Sequence, residues 1–325
     1  MKKGFELCIF LSQVDHLLHL DETIEIIKKP SAELFELMDL NHRVNQSSLN
    51  VVKDYMYREL GINYFDHIER LYFGQETCEN LIPTVNQLQK VYEYCTANEY
   101  DFTFVTPYVA PKGILKLYEC LDYLNSLQDE IEVVVNDYGV LHTMVNKYPN
   151  LVPTLGRLLT KLKRDPRFTI SGYDTASSEI KKIKVVEKNQ QQVVKTSSLD
   201  MKVYQDFLKE KGVTRVGIDS VPQGLDSKIL KKWGFPVDLY WPWTYSTSGR
   251  NCAIAAYTQP GKLFHPTDEP CHFQCREFEF ALSSDKRMFK TVQRGNAVWI
   301  DSESLWKDNI GSGFDRLVYQ PYIPI

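Results

Sequence analysis

Short apolar runs alternate with amphipathic helical segments along most of this chain, and this alternation constrains its fold more than any other feature. The strand-like runs span residues 5–11, 68–73, 102–105, 131–135, 151–155, 213–218 and 237–241. Helical periodicity occupies residues 84–95, 114–127, 158–163, 201–211 and 227–233. Strands that alternate with helices form parallel sheets with right-handed crossovers. The sequence therefore predicts a TIM-like (β/α) barrel.

Three tracts interrupt this alternation. Residues 21–60 are predicted to form amphipathic helices inserted after the first strand, and the polar tract 181–198 is predicted to be a surface loop. After Cys275 the apolar period changes to two, which indicates antiparallel strands at 277–282, 288–292 and 297–300. We therefore expect a barrel over residues 1–275 and a small C-terminal antiparallel β extension over residues 276–325. The roles of the insertion and of the loop do not follow from the sequence.

Composition narrows the classes of function. No run of eighteen apolar residues occurs and Glu6 interrupts the apolar start, so we expect a cytoplasmic protein without membrane insertion. A formal net charge of −4 argues against a broad nucleic-acid surface. Seven cysteines in a reducing compartment are then buried hydrophobic residues, metal ligands or reactive thiols rather than a disulfide framework.

Polar residues follow the predicted strands at their carboxyl ends. Asn136 and Asp137 follow one strand, Arg157 another and Asp219 a third. Because the carboxyl ends of barrel strands share one rim, these four residues are candidates for substrate binding. Any single one of them is also an ordinary turn residue, since turns are rich in such side chains. For Lys161, Lys163, Arg164 and Arg167 we expect a solvated face.

Cysteine spacing gives a sharper prediction. Cys271-His-Phe-Gln-Cys275 places two thiols close enough to grip one metal centre, while Cys78 and Cys252 lie beyond two strand ends. Four thiolates suit an iron-sulfur cluster or zinc, and one close pair with two dispersed ligands favours the cluster. Cys8, Cys95 and Cys120 lie in apolar surroundings, where core packing is expected.

These segments resemble a known family. Phe73-Gly-Gln-Glu-Thr-Cys78, Val135-Asn-Asp-Tyr-Gly139 and Gly249-Arg-Asn-Cys252 followed by the Cys271 and Cys275 pair are similar to the collagenase-like U-thirty-two peptidase family, UbiV-like branch. The resemblance implies a [4Fe-4S] centre held by Cys78, Cys252, Cys271 and Cys275. It also implies a homologous partner subunit.

Three functions follow from the residues and the resemblance together. The first is a redox enzyme, or a subunit of one, for oxygen-independent hydroxylation of a small molecule or of RNA. The second is a peptidase, as the family name says, although no serine-protease elbow or zinc-protease helix occurs in the sequence. The third is a non-catalytic cluster-bearing or RNA-binding accessory protein. The sequence does not choose the substrate, the electron or oxygen donor, or whether the chain is an enzyme.

Overall fold

A computed structural model describes residues 6–28, 68–164, 195–221, 224, 227–257, 271–282, 291–302 and 313–325. The strands in chain order are β1 (Glu6–Leu11), β2 (Arg70–Gly74), β3 (Asp101–Val105), β4 (Ile131–Val135), β5 (Leu151–Leu155), β6 (Arg215–Asp219), β7 (Val237–Trp241), β8 (Trp243–Ser248), β9 (Phe280–Ala281), β10 (Thr291–Arg294), β11 (Ala297–Asp301) and β12 (Arg316–Tyr319). Strands β1 to β7 and β12 close into an eight-stranded parallel barrel. The predicted TIM-like barrel is therefore confirmed.

The helices lie between the barrel strands. They are α1 (Leu20–Lys28), α2 (Val85–Ala97), α3 (Pro111–Ser126), α4 (Tyr138–Lys147), α5 (Lys202–Glu210), α6 (Ser227–Trp233) and α7 (Ala253–Ala256). Thr84 begins α2 with a capping box, Pro111 occupies the first turn of α3, and the side chain of Asp137 caps α4. The starts of these three helices thus carry residues that favour helix N-termini.

The predicted helix over residues 158–163 is wrong, because this segment is a turn. The carbonyl oxygen of Arg157 accepts hydrogen bonds from the side chains of Tyr245 at 3.0 Å, Thr160 at 3.0 Å and Arg164. The Leu158 amide donates to the side chain of Asn136 at 3.2 Å. Side chains therefore form hydrogen bonds with backbone groups that would pair with each other in a helix.

The barrel interior is apolar in its middle and ionic at its amino-terminal end. The apolar layer consists of Cys8, Phe10, Tyr72, Val105, Val134, Tyr240 and Val318. Below it, Arg316 contacts Glu132 at 2.7 Å and Glu6 at 2.5 Å, and Arg215 contacts Asp238 at 2.7 Å. The interior is thus a packed core, as expected for this fold.

Strands β8 to β11 form a four-stranded antiparallel sheet in the order β8-β11-β10-β9. This small sheet covers part of the carboxyl end of the barrel. Tyr245 of β8 donates to the Arg157 carbonyl oxygen at 3.0 Å, and the Arg157 guanidinium lies 5.7 Å from the Trp299 ring of β11. Asn296, between β10 and β11, donates to the Thr77 carbonyl oxygen beyond β2.

The predicted boundary between residues 275 and 276 does not separate the two sheets. Strand β8 precedes it but belongs to the small sheet, whereas β12 follows it and closes the barrel between β1 and β7. A four-residue strand leaves a weak periodic signal, so its pairing with distant strands is not visible in the local sequence.

Residues 29–60 of the predicted insertion and residues 181–194 of the predicted loop lie outside the described residues. Arg167 and part of the predicted strand 288–292 also lie outside them. Among the described helices, none is long and apolar enough to cross a membrane.

Candidate metal centre

Four cysteines come from three segments at the carboxyl end of the barrel. Cys78 lies beyond β2 and precedes a single 3-10 turn at Glu79–Leu81. Cys252 begins α7, and its sulfur accepts a hydrogen bond from the Ala255 amide at 3.4 Å. Cys271 and Cys275 precede β9, and Cys275 sits within a 3-10 turn at Gln274–Arg276. Short turns or helix starts thus position Cys78, Cys252 and Cys275.

Packing brings these segments together. Cys275 belongs to a buried apolar cluster that also contains Ile254 and Trp299, and Cys78 and Cys252 pack against the same cluster. Cys78, Cys252 and Cys271 are partly exposed, whereas Cys275 is buried. Cys78, Cys252 and Cys275 therefore lie where the barrel, α7 and the small sheet meet.

The thiols also influence one another's ionisation. Burial, with smaller contributions from Cys275 and Cys252, raises the pKa of Cys78 to about 12. Burial, with smaller contributions from Cys252 and Cys271, raises the pKa of Cys275 to about 11. The pKa of Cys252 is raised by burial and by Cys271. Negative charge on Cys78, Cys252 and Cys275 is therefore unfavourable unless a cation neutralises it.

The spacing of these thiols bears on which metal group they fit. Within the described part of the chain, no three side chains of His, Cys, Asp or Glu form a group that could hold a metal ion. A single zinc ion requires all its sulfur ligands at about 2.3 Å, so the sulfurs must be in contact with one another. A cluster of four iron and four sulfide ions is larger and holds its cysteine sulfurs further apart. Four thiols are a donor set that both groups accept, so the donor chemistry fits either one.

The other three cysteines are buried away from this site. Cys8 lies inside the barrel, Cys95 in α2 and Cys120 in α3. The Cys120 thiol donates to the Pro83 carbonyl oxygen at 3.3 Å. Core packing, as predicted for these residues, is confirmed.

A buried ionic cluster lies beside the thiols. The Arg157 guanidinium contacts Glu76 at 2.5 Å and Asp219 at 2.7 Å, and all three side chains are fully buried. Arg164 completes the cluster through Asp219, and its side chain is 8% exposed. The predicted solvated face is therefore wrong for Arg164, because the carboxylate of Asp219 draws this arginine inward.

The four predicted substrate-binding residues all have partners within the protein. Arg157 and Asp219 bind each other, and Asn136 donates to the Thr106 carbonyl oxygen at 2.9 Å. Asp137 accepts from the backbone of Gly139 at 2.6 Å as it caps α4. The structure thus gathers them at one end of the barrel, with their polar groups engaged in holding loops. Their role in substrate binding stays a prediction.

The sequence reasoning missed Glu76, which binds Arg157 through both carboxylate oxygens. The signal was present, since Glu76 lies two residues beyond β2, as Asn136, Asp137 and Arg157 lie just beyond their own strands. Its neighbour Cys78 drew attention to the same loop for another reason.

No family model matches the chain, and no curated protein sequence matches it.

Proposed function

We propose that this protein binds a [4Fe-4S] cluster through Cys78, Cys252, Cys271 and Cys275, as a member of the U-thirty-two peptidase family in its UbiV-like branch. The observation that carries the proposal is the meeting of thiols from three distant segments around one apolar cluster. The other three cysteines lie apart from this site, with Cys8 inside the barrel, Cys95 in α2 and Cys120 in α3.

The protein's own residues supply the surroundings that such a group needs. The cluster of Leu81, Ile254 and Trp299 excludes water from one side of the thiols. Backbone amides of Asn80 and Leu81 oppose the burial that raises the pKa of Cys78, and the charge of Arg294 opposes the rise at Cys275. Both effects favour the thiolate form that metals require.

When bound, a [4Fe-4S] cluster supplies a site that accepts and releases single electrons. We therefore propose a redox enzyme, or a subunit of one, that carries out oxygen-independent hydroxylation. The same resemblance implies a homologous partner subunit, and the mass of the purified complex tests for it.

The two other functions have less support. A nucleophilic cysteine of a peptidase needs a lowered pKa, whereas burial raises the pKa of Cys78 to about 12. An RNA-binding face over residues 157–167 would need free cations, but Arg157 and Arg164 are bound to buried carboxylates.

Anaerobic purification followed by iron and sulfide analysis tests the proposal. We expect brown protein with about four iron and four sulfide ions per chain. Cys275→Ser should lose the iron, while Cys120→Ser should keep it, because Cys120 is buried elsewhere and a serine hydroxyl can keep the hydrogen bond to Pro83. Colourless protein with one zinc ion, or equal iron in both variants, would refute the cluster.

A further inference from the structure

Buried polar atoms without partners accumulate where the carboxyl end of the barrel meets the small sheet. Six residues there carry buried side-chain nitrogen or oxygen atoms that have no hydrogen-bond partner among the described residues. We call them the polar seam: Gln75, Thr77, Tyr240, Asn296, Trp299 and Gln320. Asn296 is 7% exposed and the other five are at most 1% exposed. Solvent outside the protein therefore does not reach these atoms.

Contacts place one half of the polar seam beside the loop that carries Cys78. Gln75 donates to the Ser12 carbonyl oxygen at 3.0 Å, so its amide nitrogen is satisfied and its amide oxygen is not. Asn296 donates to the Thr77 carbonyl oxygen, which leaves the Asn296 side-chain oxygen and the Thr77 hydroxyl without partners. Thr77 directly precedes Cys78 in the chain.

The other half of the polar seam, which includes Gln320 and Trp299, lies at the carboxyl end of the barrel. The backbone N–H of Gln320 donates to the Trp241 carbonyl oxygen at 2.8 Å, which places Gln320 just beyond β12 and next to β7. Trp299 of the small sheet faces Arg157 at 5.7 Å, and Arg157 binds Glu76, which lies between Gln75 and Thr77. The residues that carry the partnerless atoms thus lie at the junction between barrel and sheet.

Gln320 is the most unusual member, because both its amide nitrogen and its amide oxygen lack a partner. A buried amide without hydrogen bonds destabilises a folded protein, and native structures rarely keep one without a reason. Such groups persist where a ligand or ordered water completes them. The concentration of several at one junction points to a shared occupant.

The charges around the polar seam limit the kind of ligand that it can bind. The ionised groups of the buried ionic cluster beside the seam are two arginines and two carboxylates, namely Arg157, Arg164, Glu76 and Asp219, and they neutralise one another. The polar seam offers donors from Trp299 and Gln320 and acceptors from Gln75, Gln320 and Asn296. A neutral molecule with both a donor and an acceptor matches this set, whereas an ion would leave buried charge without a counter-charge.

We propose that the polar seam binds a small neutral molecule that carries a hydrogen-bond donor next to an acceptor, as a carboxamide does. Gln320 binds the donor and the acceptor together, and Trp299 donates to the acceptor. The assignment of this molecule as the substrate rests on the proposed function, because the seam adjoins the Cys78 loop, but the binding itself does not depend on iron.

Nuclear magnetic resonance of the indole N–H groups tests the binding directly. The chain has five tryptophans, so ¹⁵N-tryptophan labelling gives few signals, and Trp299→Phe identifies that of Trp299. Titration with acetamide should shift the Trp299 signal and leave that of Trp233, whose indole nitrogen already donates to Asp200 at 2.7 Å. Acetate should leave both signals unchanged. A Trp299 signal that ignores acetamide, or that responds equally to acetate, would overturn the proposal.

Substitution of Gln320 separates a ligand site from a structural role. Gln320→Met keeps the volume and removes the partnerless amide, so it should raise the Tm by about 2 °C and abolish the acetamide shift. Gln205→Met is the matched control, because the buried Gln205 amide donates to the Leu199 carbonyl oxygen at 2.8 Å. This control should lower the Tm and keep the acetamide shift.

An unchanged or lower Tm for Gln320→Met would mean that internal water serves this amide, and it would overturn the proposal. Iron content is measured on the same samples. Wild-type protein that contains no iron but shows the acetamide shift would refute the cluster and leave the binding site standing. Wild-type protein that contains iron but shows no acetamide shift would refute the binding site alone.

Discussion

Removal of Arg157 should destabilise the protein strongly, because it leaves a carboxylate buried without its counter-charge. Glu76 is fully buried and accepts three hydrogen bonds from Arg157, at 3.0, 3.1 and 2.5 Å. In Arg157→Met, Asp219 keeps its contact with Arg164, but Glu76 loses these bonds. Breaking a buried pair in this way costs about 3–5 kcal/mol, a large share of the ~5–15 kcal/mol that stabilises a typical domain.

The double variant Arg157→Met with Glu76→Gln isolates the cause. It removes both charges, so it should recover most of the lost free energy of unfolding, since an uncharged pair carries no burial penalty of this size. If the loss came instead from the packing of Arg157 against Tyr240 and Trp299, the double variant would be no more stable than the single one.

The pH dependence gives a second check. Burial raises the pKa of Glu76 even beside Arg157, and loss of that arginine raises it further. The folded state then holds a proton that the unfolded state releases, so stability is greatest below the unfolded pKa of about 4.3 and falls as pH rises through the folded pKa. Relative to wild type, Arg157→Met should therefore be less destabilised at pH 5 than at pH 7.

Urea unfolding followed by tryptophan fluorescence measures these differences, with the slope m reporting whether the unfolded states are comparable. A loss below about 1 kcal/mol for Arg157→Met would contradict the reasoning, because this is the scale of an exposed ion pair. So would a double variant that recovers nothing.

Three further predictions concern the scaffold and can be measured by the same unfolding assay. Gly74→Ala should lower the free energy of unfolding by more than the roughly 1–2 kcal/mol of a left-handed alanine, because φ is +136° and the new Cβ would lie 2.1 Å from the Val105 carbonyl oxygen. Gly212→Ala, at φ +70° with open space around the new Cβ, should lower it by only that amount. Burial and nearby cations lower the pKa of His16 to about 4. Stability should therefore fall by roughly 3 kcal/mol as pH drops from about 6.5 through 4, and His16→Phe should remove this loss. Thr84→Ala should cost about 1 kcal/mol and Thr84→Ser almost nothing, because the hydroxyl completes a helix cap; equal effects of the two changes would contradict the cap.

The sequence predicted the barrel because most of its strands are short, apolar and regularly spaced. Strands 131–135, 151–155 and 237–241 were predicted with the bounds that the structure has. Buried parallel strands leave this signal because both of their faces are covered. Strand β12 left no such signal, since a four-residue strand acquires its place only through pairing with β1 and β7.

Prediction of the site was less complete for a related reason. Cysteine spacing predicted Cys78, Cys252, Cys271 and Cys275 as metal ligands. The structure places Cys78, Cys252 and Cys275 at one apolar cluster, and Cys271 influences the pKa values of Cys252 and Cys275. The partners of charged residues are set by tertiary contacts, so the pairing of Arg157 with Glu76, 81 residues earlier in the chain, could not be read from local pattern. Partnerless groups such as Gln320 are visible only when every neighbour is known.

The position of β12 has a consequence for synthesis on the ribosome. Roughly 75 residues separate Trp241 from Arg316, and they include the small sheet and three of the four cysteines. At a translation rate of about 5–20 residues per second, a nascent chain with seven barrel strands would wait about 4–15 s for the eighth. During that time the edges of β1 and β7 are open to wrong pairing, so we expect the nascent protein to depend on chaperones until β12 emerges.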